Sequence, residues 1–220
     1  MELIQFAIVN DWFVLLPIVA CSILTLAVAI ERWTFYKKNR RDVVQFIHRL
    51  QRELQRGSLE NSQLLSSQLG GIIGEVSEEG VRVLAEQPES FERSYDITAA
   101  LASRKLEKNL SVLGTIATIS PYLGLFGTVV RILLTFGEMS KTAGDAGGAP
   151  QIMFGIGSAL IATAFGLAVA IAAVALNNYF QSIVNRYEDD FQLLKLLFLS
   201  FADEREQTVA PGSQRPAAGY

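Results

Sequence analysis

Apolar positions gather into three runs, separated by a long amphipathic stretch and a short polar one. Residues 12–30, "WFVLLPIVACSILTLAVAI", carry no charge, residues 110–136 carry only Arg131, and residues 151–176 carry none. At 1.5 Å of rise per residue the first run extends about 28 Å, close to the roughly 30 Å hydrocarbon thickness of a bilayer. Each run therefore predicts a transmembrane helix. Between the first two, "DVVQFIHRLQRELQRG" puts Val43, Phe46, Ile47, Leu50 and Leu54 on one helical face and stops at Gly57. "GIIGEVSEEGVRVLAEQ" predicts a weaker helix ending near Pro88. From Ser90 the helical period resumes and runs without a breaker into the second span, which predicts one helix projecting beyond the membrane. The third span continues likewise, with Phe180, Ile183, Val184, Tyr187, Phe191, Leu194, Leu197 and Phe198 on one face. The fold class expected is an all-α integral membrane protein, its second and third spans extended into a cytoplasmic helical bundle.

Basic residues orient the spans. Arg32, Lys37, Lys38, Arg40 and Arg41 follow the first, and Arg104, Lys105 and Lys108 precede the second. The N-terminal segment has none, and the loop between spans two and three has only Lys141. The N-terminus is thus expected outside and the C-terminus in the cytoplasm. The division that follows is an outer segment 1–11, spans at 12–30, 110–136 and 151–176, and an outer loop 137–150. The cytoplasmic parts are a helical domain 31–109, a helix 177–206 and a disordered tail 207–220. Trp12 at one end of the first span, and Trp33 with Tyr36 at the other, suit interfacial aromatic belts. Glu2 and Asp11 in place of a basic leader favour an uncleaved anchor over a signal peptide.

The composition agrees with this reading. Half of the 220 residues are apolar and the net charge is -3, while cytoplasmic bases alternate with about as many acids, so no nucleic-acid surface is expected. The basic cluster at 37–41 is explained as a topology signal that also contacts lipid headgroups. The lone Cys21 excludes an internal disulfide and reads as a packing residue. The lone His48 has no ligand neighbours, "GLFGT" lacks the Gly-Lys-Ser/Thr ending of a phosphate loop, and no serine has a His–Asp partner set. No enzymatic activity, cofactor or metal is expected.

The spans are written for close approach. Along the third, steps of three or four residues give Gly155, Ala159, Thr163, Gly166, Ala170, Ala173 and Asn177; along the second they give Ser111, Thr115, Thr118, Pro121, Leu125, Thr128, Ile132 and Thr135. Small residues with an occasional hydroxyl are ordinary glue between membrane helices, and packing is the simpler account. A water-accessible pathway lined by Thr128 and Thr163 is also compatible. No Asp, Glu, His or Lys occurs in any span. A proton relay needs a titrating group near mid-depth, so if the chain conducts protons a partner must supply the carboxylate.

"TIATISPYLGLFGTVVRI" and "GIGSALIATAFGLAVAIAAVALNN", with the Glu-Arg of "LTLAVAIERWTFYKK", resemble the paired signature of the MotA/TolQ/ExbB proton-channel family. Three spans fit its ExbB/TolQ branch, since the flagellar stator branch has four. The resemblance implies a bacterial inner-membrane protein with a periplasmic N-terminus. It implies a pentamer whose second and third spans line a central pore holding the helices of an ExbD/TolR-like single-span partner. That partner brings the Asp, and proton flow then drives work on the outer membrane through a TonB/TolA-like protein. The family's pore threonines fall on Thr128 and Thr163, its interfacial proline on Pro121, and the asparagine closing the third-span motif on Asn178. Thr135 is a further pore-lining candidate, and Gly124, Gly127, Ala159, Gly166 and Ala170 set packing and pore shape. The chain departs from the family pattern at Ser158, often glutamate, at Ala172, often proline, and at Arg131, often glycine.

Arg131 lies about one turn inside the outer end of span two, about 60° from Thr128 and about 40° from Thr135 around the helix. A fixed cation in a lumen would oppose proton entry, so a pairing at the outer rim, with Glu138, Asp145 or a partner's acid, is favoured over snorkelling alone. Two rival readings remain at this point: a non-conducting membrane scaffold built on the small-residue stripes, and a flagellar-type (MotA-like) stator subunit, which the span count disfavours.

Overall fold

The computed structural model describes residues 12–141 and 148–209, with side chains described except at 14, 138–141, 148–151 and 203–209. The expected outer segment 1–11, the centre of the outer loop at 142–147 and the tail from 210 lie outside the described residues. Those described form helices α1 (Trp12–Asn39), α2 (Val43–Gln55), α3 (Leu59–Leu69), α4 (Gly71–Glu86), a 3₁₀ turn (Pro88–Ser90), α5 (Phe91–Glu107), α6 (Leu110–Lys141) and α7 (Gly148–Val209). Three of these helices are long and apolar enough to cross a membrane. The chain divides into two compact units, residues 1–34 with 109–181 and residues 35–108 with 182–220.

In the first unit the buried faces of α6 from Ser120 onward and of α7 through Ala173 are mostly small, whereas Leu110, Leu113 and Ile116 at the start of α6 and Phe180 on α7 are large and buried. On α6 the buried positions include Ser120, Gly124, Gly127, Arg131 and Thr135, and on α7 Gly155, Ser158, Ala159, Ala162, Gly166, Ala170 and Ala173. Outward stand Ile23 and Leu26 on α1, Leu125 and Leu133 on α6, and Leu160 and Ile171 on α7. Only 28% of the most apolar window of each spanning helix is buried. Exposed large apolar side chains beside small-residue contact faces suit helices in lipid, because lipid gives them no hydrophobic reason to bury every leucine.

The second unit is built the opposite way, with large side chains inside. Asp42 caps α2 by accepting from the Gln45 N–H, and Ser58 caps α3 by accepting from the Asn61 N–H. Between them Gly57 takes φ +76°, the left-handed geometry that ends α2. Phe46, Leu50 and Leu54 of α2, Ile73 and Val76 of α4, Leu106 of α5, and Phe191 and Leu194 of α7 are buried. Phe91, Tyr95 and Phe198 form a ring cluster with centroids 5.5 to 6.1 Å apart. Phe198 lies on the bare backbone of Gly80, where a Cβ would meet its ring at 2.7 Å.

Three features differ from the sequence expectation. The helix entering span two is not continuous: α5 ends at Glu107 and Asn109 sits at φ +64° before α6 begins. Asparagine tolerates that conformation better than other non-glycine residues, which is why no breaker was visible. Tyr36 is no belt residue; it is buried and donates its hydroxyl to the Leu106 carbonyl at 2.8 Å, capping the C-terminal end of α5. Helix α3 lies in a polar stretch to which the apolar pattern assigns no element, and its buried positions are serines: Ser66 Oγ is 2.8 Å from Ser77 Oγ and also donates to the Ser62 carbonyl.

Candidate functional site in the membrane-spanning unit

Helices α6 and α7 meet where neither has a side chain to spare. A Cβ on Gly166 would lie 2.7 Å from the Ser120 carbonyl oxygen and 3.0 Å from the Gly124 Cα. A Cβ on Gly124 would lie 3.0 Å from the Thr163 Cα. The two glycines therefore let the backbones touch, and this approach brings the Thr163 hydroxyl within 2.9 Å of the Gly124 carbonyl, to which it donates. Ala159 and Ala170 are buried on the same stripe of α7, and Gly127 is buried on α6. Pro121, half-buried, removes one backbone donor from the middle of α6. Asn178 stands apart from this face and is exposed.

The hydroxyls of α6 divide into two sets. Ser111, Thr115 and Thr118 are exposed and Thr128 is half-buried. Thr115 donates to the Ser111 carbonyl at 2.8 Å, Thr118 to Gly114 at 2.9 Å and Thr128 to Leu125 at 2.6 Å. Each such hydroxyl satisfies its proton locally and leaves oxygen lone pairs to its surroundings. Thr135 and Ser120 belong to the other, buried face. Thr135 donates to the Arg131 carbonyl at 2.9 Å and packs onto the bare backbone of Gly155, whose missing side chain makes room for it.

Arg131 is 4% exposed and lies on the buried face with Thr135, Gly127 and Gly124, so it does not point freely outward. On α7 Ser158 is buried as well and donates to the Gly155 carbonyl at 3.0 Å. Of the acids considered for Arg131, the Glu138 side chain and Asp145 lie outside the described residues. Among the described residues no cluster of His, Cys, Asp or Glu could hold a metal ion.

One polar contact had no sequence signal beyond the Glu-Arg pair itself. Glu31 accepts from Arg32 at 2.6 Å with one oxygen and from the Asn109 amide at 2.7 Å with the other. The residue that interrupts the helix before span two is thus tied to the last turns of α1. Arg32 is buried while Glu31 is exposed.

Residues 68–193 match the MotA/TolQ/ExbB proton channel family. Over most of its length the chain is similar to the "Putative biopolymer transport protein ExbB-like 3" of Synechocystis sp., 26% identical over 201 residues that cover 88% of this chain and 94% of that protein. It is 39% identical over 103 residues to the biopolymer transport protein ExbB of Helicobacter pylori, covering 47% of this chain and 69% of the relative. With the Tol-Pal system protein TolQ of Haemophilus influenzae it shares 37% identity over 99 residues, 45% of this chain and 42% of the relative. With three membrane-length helices among the described residues, and with more than half of its residues inside the family match, the chain belongs to the MotA/TolQ/ExbB proton channel family, on its ExbB/TolQ branch.

Proposed function

We propose that this protein is the proton-conducting subunit of an inner-membrane energy-transducing motor, with its N-terminus in the periplasm and its C-terminus in the cytoplasm. In this reading it assembles as a pentamer, and spans two and three line a pore that receives the helices of an ExbD/TolR-like partner. The observation that carries the proposal is the hydroxyl face of α6: Ser111, Thr115 and Thr118 stand exposed, with half-buried Thr128 above them, in a unit whose spans contain no acid. The threonine protons are bonded within the helix, and the outward oxygen lone pairs are left to accept from water or a polar partner. The partner's Asp supplies the titrating group, and each proton crossing 100 mV delivers about 2.3 kcal/mol to a TonB- or TolA-like transducer.

The test is proton uptake into vesicles holding this chain and its partner. Thr128→Val combined with Thr163→Val is expected to lower flux roughly tenfold or more. Undiminished flux in the double variant overturns the pore assignment. The second reading, a non-conducting scaffold, has its own observation in its favour, because the Thr163 hydroxyl is engaged with the Gly124 carbonyl. That reading requires the same substitutions to lower stability while the assembled complex carries no proton current of its own.

A further inference from the structure

Away from the spans, helices α2 and α3 border an open surface groove of about 400 Å3. One wall is a row of arginines, Arg49 and Arg52 on one face of α2 and Arg56 at its C-cap. The facing wall, from α3, offers the Asn61 amide and the apolar side chains of Leu64 and Leu65.

The row is electrostatically costly as it stands. Arg49 with Arg52, and Arg52 with Arg56, are like charges at spacings of three and four, which destabilise a helix. The only carboxylate in the groove, Glu53, is engaged by Arg56 at 2.9 Å and by the Asn61 amide at 3.4 Å. Arg52 donates its Nε to the His48 carbonyl at 3.3 Å, which fixes the stem of its guanidinium and leaves the terminal nitrogens available. Neither Arg49 nor Arg52 forms an ion pair among the described residues. The helix dipole favours cations at the C-terminal end of α2, which accounts for Arg52 in the last turn and Arg56 at the C-cap; Arg49 sits mid-helix, where the dipole gives it nothing.

We propose that this groove binds a phosphate ester. The terminal oxygens of a phosphate accept several charge-assisted hydrogen bonds, and the planar forks of Arg49 and Arg52 match that geometry. The organic part of the ester lies on Leu64 and Leu65. Two sources share this chemistry, the headgroup of an anionic phospholipid and a soluble phosphate ester.

The experiment uses the full chain in nanodiscs. Calorimetric titration with glycerol phosphate and with inorganic phosphate, in phosphatidylcholine discs, tests the soluble source; native mass spectrometry of discs mixing phosphatidylglycerol with phosphatidylcholine tests the lipid source. Binding in the first arm, or selective retention of phosphatidylglycerol in the second, is expected, and which arm responds identifies the source. Arg49→Gln with Arg52→Gln is expected to weaken that binding roughly tenfold or more. Arg49→Lys with Arg52→Lys, which keeps charge and loses the fork, is expected to fall between. Arg93→Gln with Arg104→Gln, on exposed positions of α5, is the control and leaves binding unchanged. All four arginines are exposed, and unchanged far-ultraviolet circular dichroism verifies that each variant folds. The proposal is overturned by no response in either arm, by an equal loss in the α5 control, or by a polyglutamate peptide that binds more tightly than any phosphate.

Discussion

The Thr163 hydroxyl donates to the Gly124 carbonyl across 2.9 Å, joining the third span to the second where Gly124 and Gly166 let their backbones approach. A residue assigned to conduction by its motif is therefore also a fastener. Thr163→Ser keeps the donor and is expected to leave thermal stability within about 0.5 kcal/mol, while Thr163→Val removes the additional bond at the Gly124 carbonyl and costs about 0.5–1.5 kcal/mol. Melting of the purified protein in detergent measures both. Proton flux through Thr163→Ser then separates roles, since a fastener alone predicts wild-type transport in any variant that assembles.

Gly124→Ala and Gly166→Ala push a methyl group against backbone rather than a side chain that could turn aside. Each is expected to destabilise by about 1–3 kcal/mol. Gly114→Ala, where nothing lies within 4 Å of the new Cβ, is expected to be neutral or to stabilise by up to about 1 kcal/mol through helix propensity. Equal melting temperatures for the three variants would contradict the packing described.

At Asn109 the backbone conformation and the side chain contribute separately. Asn109→Gly suits φ +64° and loses only the bond to Glu31, whereas Asn109→Ala loses the bond and strains the backbone. The alanine variant is expected to be about 1 kcal/mol the less stable of the two. A double-mutant cycle of Asn109→Ala with Glu31→Ala reads out the coupling, and zero coupling would show that the bond contributes nothing.

Tyr95 predicts an alkaline limit for the second unit. Its hydroxyl donates to the Phe191 carbonyl at 2.8 Å, and burial, reinforced by the negative charge of Asp96, raises its pKa above the ordinary 10.0. The neutral phenol is the form the fold accepts. Its contribution is complete below the ordinary value and is lost as pH climbs from there toward the raised folded value, because the unfolded chain ionises first. Tyr95→Phe is expected to lower stability at neutral pH by about 1 kcal/mol and to flatten its decline above pH 10. Denaturant titrations across that range, with ultraviolet detection of tyrosinate, decide it.

Arg131→Glu is expected to impair assembly, since it reverses a charge that is almost wholly buried on the α6 face. Size-exclusion profiles and proton uptake measure the outcome. A variant that assembles and transports like the wild type would remove the rim-pairing explanation.

Much of this was legible in the sequence, because hydrophobic run length and small-residue spacing act through simple geometry. The three spanning helices, the packing stripe of α7 and the amphipathic faces of α2 and the end of α7 follow from periodicity alone. What stayed hidden depends on single residues whose role is set by a distant partner. Asn109 is an ordinary helix residue until its left-handed geometry and its bond to Glu31 are seen. Tyr36 has the composition of a belt aromatic, and only the end of α5 at Leu106 explains its burial. Thr135 shares the spacing of the other α6 hydroxyls, yet it is buried because Gly155 leaves a hollow for it. Helix α3 packs through serines, and a pattern based on apolar residues has no purchase on those.

The seat of Phe198 on Gly80 has a consequence for biosynthesis. The core that holds Phe91, Tyr95 and Gly80 receives Phe191, Leu194 and Phe198 from a segment made about a hundred residues later. While the ribosome is still translating the third span, residues 35–108 have been synthesised but their apolar seat is empty. The second unit is completed only when the carboxyl-terminal part of α7 emerges, so a chain stalled before residue 182 offers chaperones and proteases an open hydrophobic surface.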